Sequence, residues 1–224
     1  MDGGADAHQS RFLGSPRHQP GLHDTALLVT DMQYLDAHPD YGLCRRMRDA
    51  GADLSYYNHR LQLATANIAR LLAAFRARHM EVIYSRIESL TSDGRDRSLA
   101  HKTAGIHAPP GSRESMILEA ITPADGEIVL SKTASSVFVG TIIDYVLRNI
   151  GISVLVVTGV VTSGCVEAAV RDAFDRNYKI VLVEDACADL VQAFHETAID
   201  VLRLAAMVTT TKALIASLPA AAAG

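Results

Sequence analysis

Residues 157–173 read V-T-G-V-V-T-S-G-C-V-E-A-A-V-R-D-A, and two hydrophobic periods meet in them. Upstream, 153–158 is a β-branched apolar run, as expected of a strand covered on both faces. Downstream, Val166, Ala169, Val170, Ala173 and Phe174 recur at helical spacing. Cys165 therefore falls where a buried strand turns into a helix. The first turn of a helix carries unpaired N–H groups and the positive end of the macrodipole, which favour thiolate over thiol. Two readings stay open at this point: Cys165 is a nucleophile, or it is a small core residue.

The same pattern extends outward. Further apolar strands are expected at 25–30, 81–85, 127–130, 179–183 and 207–209. Helices are expected at 58–78 (stripe Leu61, Ala64, Ile68, Leu71, Leu72, Phe75), 112–121, 195–206 and 211–218. Another runs from an N-cap at Thr141 to Gly151. Each strand-to-strand crossover contains a helix, which predicts an α/β fold: a doubly wound three-layer α/β/α sandwich on a six-stranded, mostly parallel sheet. Residues 24–218 are expected to form one domain, with 1–23 a flexible arm and 219–224 a disordered tail. The longest irregular segments are 38–58 and 86–113.

Composition narrows the function. The chain has 224 residues, 49% of them hydrophobic, enough for a substantial core. A net charge of −4 gives no basic footprint for nucleic acid. Three separated cysteines form no C-x-x-C pair or disulfide framework, which points to a reducing cytoplasm. No apolar run reaches membrane-spanning length, and no signal-peptide core is expected. No G-x-G-x-x-G follows the first strand, and 151–155 (G-I-S-V-L) fails the G-x-S-x-G pattern of serine hydrolases. His101 and His107 invite a metal reading but lack partners at ligand spacing.

Parallel sheets bind ligands at the C-terminal ends of their strands. Asp31 (in D-M-Q-Y), Lys132 and Cys165 each stand just past such an end. Asp31 either faces substrate or caps a turn. Gln33 and Tyr34 leave the first strand beside it, Arg86 and Glu88 leave the second, and Ser136 and Phe138 follow Lys132, so these six are the substrate-binding candidates. Arg86 suits a substrate carboxylate or, equally, an ion pair with Glu88; Phe138 is also compatible with plain core packing. Cys187 is read as inert, in a turn.

The chain resembles the isochorismatase-like cysteine hydrolases over roughly 25–210. The motifs are a strand ending D-M-Q at Asp31, K-T-A-S-S-V-F at 132–138, T-G-V-V-T-S-G-C-V at 158–166 and E-D-A-C-A-D at 184–189. The resemblance implies amide C–N hydrolysis through a thioester, with Cys165 as nucleophile, Asp31 as general base and then acid, and Lys132 holding both in register. It also implies a cis peptide between Val160 and Val161, with the Val161 and Cys165 N–H groups as oxyanion donors, and a homo-oligomer, dimer or tetramer. Nicotinamidase-like members carry a metal-binding Asp-x-His after the second strand, where this chain has Arg86-Ile87-Glu88. The resemblance is therefore to the metal-free amidases of N-carbamoyl and ureido compounds, with no cofactor. Two alternatives are a metal-dependent nicotinamidase-type amidase and a non-catalytic scaffold of the same fold.

Overall fold

The structure, a computed structural model, describes residues 19–220. Its sheet has six strands, β1 Thr25–Thr30, β2 Glu81–Ile87, β3 Ile128–Lys132, β4 Val154–Val160, β5 Lys179–Ala188 and β6 Met207–Thr209, in the order β3-β2-β1-β4-β5-β6. Every neighbouring pair is parallel. The order reverses beside β1, so β1 and β4 are central, and their C-terminal ends carry Asp31 and the Cys165 turn.

Alternation along the central strands separates two cores. Leu27 and Val29 of β1 pack with Val82, Tyr84, Val156 and Val181 under the long helix α3 (Ser55–Arg76). Ala26 and Leu28 pack with Ile83, Leu155, Val157 and Ile180 under α5 (Ile143–Asn149), α6 (Glu167–Asp175) and α7 (Gln192–Leu202). A strand whose two faces are both covered has no polar side to show, hence the continuous apolar runs. The remaining helices are α1 (Tyr34–Ala37), α2 (Gly42–Asp49), α4 (Leu99–Thr103) and α8 (Thr211–Ser217).

Several expectations are corrected. Residues 112–121 form two 3-10 turns, Arg113–Ser115 and Glu119–Ile121, rather than one helix. Between them Ile117 bridges to Gln33, while Met116 O accepts from Tyr34 N and Leu118 N donates to Met32 O. Pairing to the chain beyond β1 takes the backbone groups a helix would need. Residues 38–58 are largely helical, in α2 and the start of α3. Cys187 lies on β5, opposite Gly159 after a register shift, and not in a turn. Of the expected arm, 1–18 lies outside the described residues, but Leu22 packs on the core. Of the tail, 221–224 lies outside them, but Pro219 O accepts from Arg78 Nε at 2.8 Å.

Gly159 marks where β4 presses on β1. Its φ is +115, and a Cβ there would overlap the Thr30 carbonyl, with Thr30 C at 2.8 Å. Both neighbours are central-strand backbone and have no slack. Gly159→Ala is expected to lose about 3 kcal/mol or more of stability, read as the urea midpoint; an unchanged midpoint would contradict this packing.

Candidate active site

The chain turns immediately after β1. Asp31 has φ +54, a left-handed conformation that Asp tolerates better than bulkier residues. Its N–H donates to Ser85 O at 3.0 Å, tying the turn to β2. Ser85 Oγ donates to Asp31 Oδ1 at 3.0 Å. Lys132, the last residue of β3, places Nζ 2.8 Å from Asp31 Oδ2, with both side chains wholly buried. The same ammonium donates to Ala134 O at 2.9 Å, Ser135 O at 2.8 Å and Cys165 Sγ at 3.3 Å. Lys132 therefore bridges the carboxylate and the sulfur.

Cys165 sits on a π-helical turn, Thr162–Val166, that runs into α6; the Val160–Val161 peptide before it is cis. The turn is held from behind. Ser163 N donates to Asp189 Oδ2 at 2.6 Å, and Thr162 Oγ1 lies 2.8 Å from His195 Nδ1. Arg60, a donor only, stands 3.0 Å from His195 Nε2, which must therefore accept, so the ring proton is on Nδ1 and donates to Thr162. Burial, helped by Arg60, pushes His195 down to about 4 and keeps it neutral. Asp189 closes the E-D-A-C-A-D motif and Thr162 lies within the T-G-V-V-T-S-G-C-V motif; His195 had no sequence signal beyond that of an ordinary helix residue.

The site's electrostatics favour a thiol. Burial raises the Cys165 pKa above that of an ordinary thiol, and the Asp31 charge, the Asp36 charge and the hydrogen bond to Asp31 act in the same sense; Lys132 opposes them. This corrects the expectation of a resting thiolate at a helix start. The dipole of one turn is outweighed by burial and two carboxylates. Burial also works against the Lys132 charge, but Asp31 and Cys165 prevail and push it up to about 12.

The sequence of the isochorismatase domain matches residues 25–213. The chain belongs to the isochorismatase family. It is 35% identical to the ureidoacrylate amidohydrolase RutB of Variovorax paradoxus over 183 residues, 75% of this chain and 69% of that protein. Its fold is like that of a cysteine hydrolase from Pseudomonas syringae pv. phaseolicola, with a TM-score of 0.78 and 24% identity over 90% of this chain and 95% of the other. An N-carbamoylsarcosine amidase from Thermoplasma acidophilum superposes with a TM-score of 0.66 at 26% identity, over 84% and 96%. The chain is a hydrolase of the amidohydrolase kind, acting on C–N bonds. No helix among the described residues is long and apolar enough to cross a membrane.

Asp31, Lys132 and Cys165 thus converge in this isochorismatase-family site, whereas the six substrate-binding candidates do other work. Gln33 is fully buried; its Nε2 donates to Ile87 O and Glu114 O, both at 2.9 Å, and its Oε1 accepts from Ile87 N. Tyr34 is buried against His38, Tyr41 and the Arg113 guanidinium, 3.8 Å from its ring centroid, so it does not face an open loop. Arg86 resolves as an ion pair: NH2 lies 2.6 Å from Glu88 Oε2 and Nε donates to Ser131 Oγ. Glu88 also accepts from Ser131 Oγ and Gly111 N, fastening the 86–113 loop. Ser136 Oγ accepts from Phe138 N, and Phe138 is core beside Tyr178. Among the described residues no three His, Cys, Asp or Glu side chains could hold a metal ion.

Sequence reasoning missed Asp36 and read His101 only as a metal candidate. It also missed an apolar wall of Leu35, Ile87 and Ala108, against which Ile106 and Cys165 pack. A cavity of about 430 Å³ opens beside Leu35, with Arg45, Arg46 and His107 on its walls. Asp36, on α1, is only 7% exposed. Burial, then the Asp31 charge, pushes it up to about 7, against the pull of Lys132 and Arg46. The folded protein therefore keeps a proton that the unfolded chain releases near pH 4, and the stability this brings is lost as pH rises from about 4 to about 7. Asp36→Asn is expected to melt at least about 3 °C higher than wild type at pH 8, with the difference vanishing by pH 5. Equal differences at both pH values would contradict the buried charge.

Proposed function

We propose that this isochorismatase-family hydrolase cleaves a C–N bond of a small N-carbamoyl or ureido compound through a thioester on Cys165, releasing ammonia or an amine. The observation that carries the proposal is the Lys132 ammonium, 2.8 Å from Asp31 and 3.3 Å from Cys165 Sγ in a buried site. A scaffold protein gains nothing from burying a lysine between a carboxylate and a thiol, since such burial costs desolvation.

Because Cys165 rests as a thiol, attack needs a base. Asp31 takes the thiol proton as sulfur bonds to the substrate carbonyl carbon. Lys132 then faces two partners, the forming thiolate charge and the carboxyl group, and holds both in place. The N–H groups of Val161 and Cys165 receive the oxyanion, each contributing about 3–4 kcal/mol because it is fixed before the charge develops. Asp31 returns its proton to the leaving nitrogen, which is a poor leaving group as an anion. Water then attacks the thioester carbon and frees the enzyme. No step calls on a metal. The ureido class is favoured by the kinship with the ureidoacrylate amidohydrolases and the N-carbamoylsarcosine amidase, and by the Arg86–Glu88 pair that occupies the Asp-x-His positions.

Ammonia release from N-carbamoyl amino acids, ureidoacrylate, biuret, nicotinamide and simple amides tests this. At least one ureido compound should be hydrolysed, with activity abolished in Cys165→Ala, reduced at least about a hundredfold in Asp31→Asn, and unchanged by chelators. Turnover that survives Cys165→Ala, or that needs an added divalent ion, would contradict it.

A further inference from the structure

Two buried polar side chains lie near Asp31, Lys132 and Cys165: Asp36 follows Leu35, which shares an apolar cluster with Cys165, and His101 is on the helix that Ser98 ties to Thr133, next to Lys132. Asp36 is 7% exposed, and the side chains that bond to it, Tyr57 and Cys44, do so at its backbone carbonyl. His101 is 1% exposed, and neither ring nitrogen has a partner among the described residues. Both are coupled to the site by charge: Asp36 to Asp31, Lys132, Arg46 and Cys165, and His101 to Lys132, Asp31 and Arg97.

Neither is a loose side chain. The Asp36 carbonyl accepts from Tyr57 OH at 2.7 Å and from Cys44 Sγ at 3.6 Å, pinning α1. Ser98, the N-cap of α4, donates its N–H to Thr133 O at 2.9 Å, next to Lys132, and its Oγ accepts from His101 N. A fixed, buried polar group without a partner is costly, and functional sites are where such groups are kept. Burial, then Lys132, pushes His101 down to about 4, so at neutral pH its ring is uncharged and one nitrogen carries a free lone pair. Asp36, raised to about 7, gives a carboxylate acceptor above that pH. The backbone oxygens of Ala134 and Ser135 are already used by Lys132.

We propose that Asp36 and His101 are specificity residues that accept the N–H groups of a ureido substrate, R–NH–CO–NH2. This rests on the hydrolytic reading above. When the ureido carbonyl lies in the oxyanion site, three N–H donors remain and need acceptors. A primary amide with CH2 in place of the inner NH lacks one of them and leaves an acceptor buried and unpaired. Sites built around a hydrogen bond reject analogues that lack it more strongly than they reject a difference in size.

The test measures binding, so it needs no turnover. Cys165→Ala protein is titrated calorimetrically with N-carbamoylglycine and N-carbamoyl-β-alanine, and with the methylene isostere of each. Each ureido compound should bind at least about tenfold more tightly than its isostere. Of Asp36→Asn and His101→Phe, added singly, the one that removes the acceptor of the inner N–H should cut that ratio at least about threefold without weakening the isostere, and the other, which removes an acceptor of the NH2 group common to both compounds, should weaken both at least about threefold; His101→Gln should restore part of what His101→Phe loses. Ureido affinity should rise between pH 6 and pH 8 and lose that rise in Asp36→Asn, a readout a purely structural role would not move. No ureido binding, equal binding of both partners of a pair, or a ratio indifferent to both substitutions would overturn the proposal. Hydrolysis that depends on Cys165 alongside an indifferent ratio would sink this inference and leave the hydrolytic reading; a responsive ratio without hydrolysis would do the reverse.

Discussion

The ion pair between Lys132 Nζ and Asp31 Oδ2, 2.8 Å apart and closed to solvent, is the constraint around which the site is arranged. Two buried charges are tolerable only when each is paired and its remaining hydrogen-bonding capacity is used. Lys132 meets this with two backbone carbonyls and the Cys165 sulfur; Asp31 has the Ser85 hydroxyl on Oδ1, while Oδ2 is held by the ion pair alone. Removing either partner leaves a buried charge unmatched, at a typical cost of about 3–5 kcal/mol. The sheet holds the pair: Asp31 follows β1, Ser85 is on β2 and Lys132 ends β3, three strands adjacent in the observed order.

Cys165 is added to this pair from the other side of the sheet's centre. β4 is pressed against β1 at Gly159, and the turn after it is tied to Asp189 and to the His195–Arg60 relay. His195 works as a neutral strut, not as an acid or base, because burial beside a guanidinium keeps it unprotonated. The chemistry is thus carried by few groups, and the surrounding polar residues serve to hold them within reach of one another.

The fold and the three central residues were legible because both are local properties of strands. A continuous apolar run marks a strand covered on both faces, and residues at or shortly beyond its end fall in the crevice, which placed Asp31, Lys132 and Cys165; the roles expected of them came from the family resemblance. Gln33 and Tyr34 were misread, and the partners that Arg86 and Glu88 take beyond their own ion pair, one of the two readings the sequence offered, went unseen, because those partners lie far along the chain. Glu114, Arg113, Ser131 and Gly111 come from segments whose course periodicity does not fix. Asp36 was missed because a lone Asp in a short polar-flanked stretch looks solvated, and only the packing of α1 buries it. The thiolate expectation failed for a related reason: a helix start is visible in sequence, whereas burial and the convergence of two carboxylates are not.

In the proposed mechanism a resting thiol gives Asp31 a proton to take, so the protonation state of Cys165 bears most directly on it. Thiolate absorbance in the ultraviolet, followed as pH is raised in wild type and in Cys165→Ser, isolates it, because Cys44 and Cys187 are themselves held up to about 11 and about 12 and are common to both proteins. The account predicts no thiolate signal from Cys165 up to about pH 10, well past the ordinary thiol value of about 8.5. A difference signal with its midpoint below that ordinary value would contradict it and leave Asp31 without its role as base.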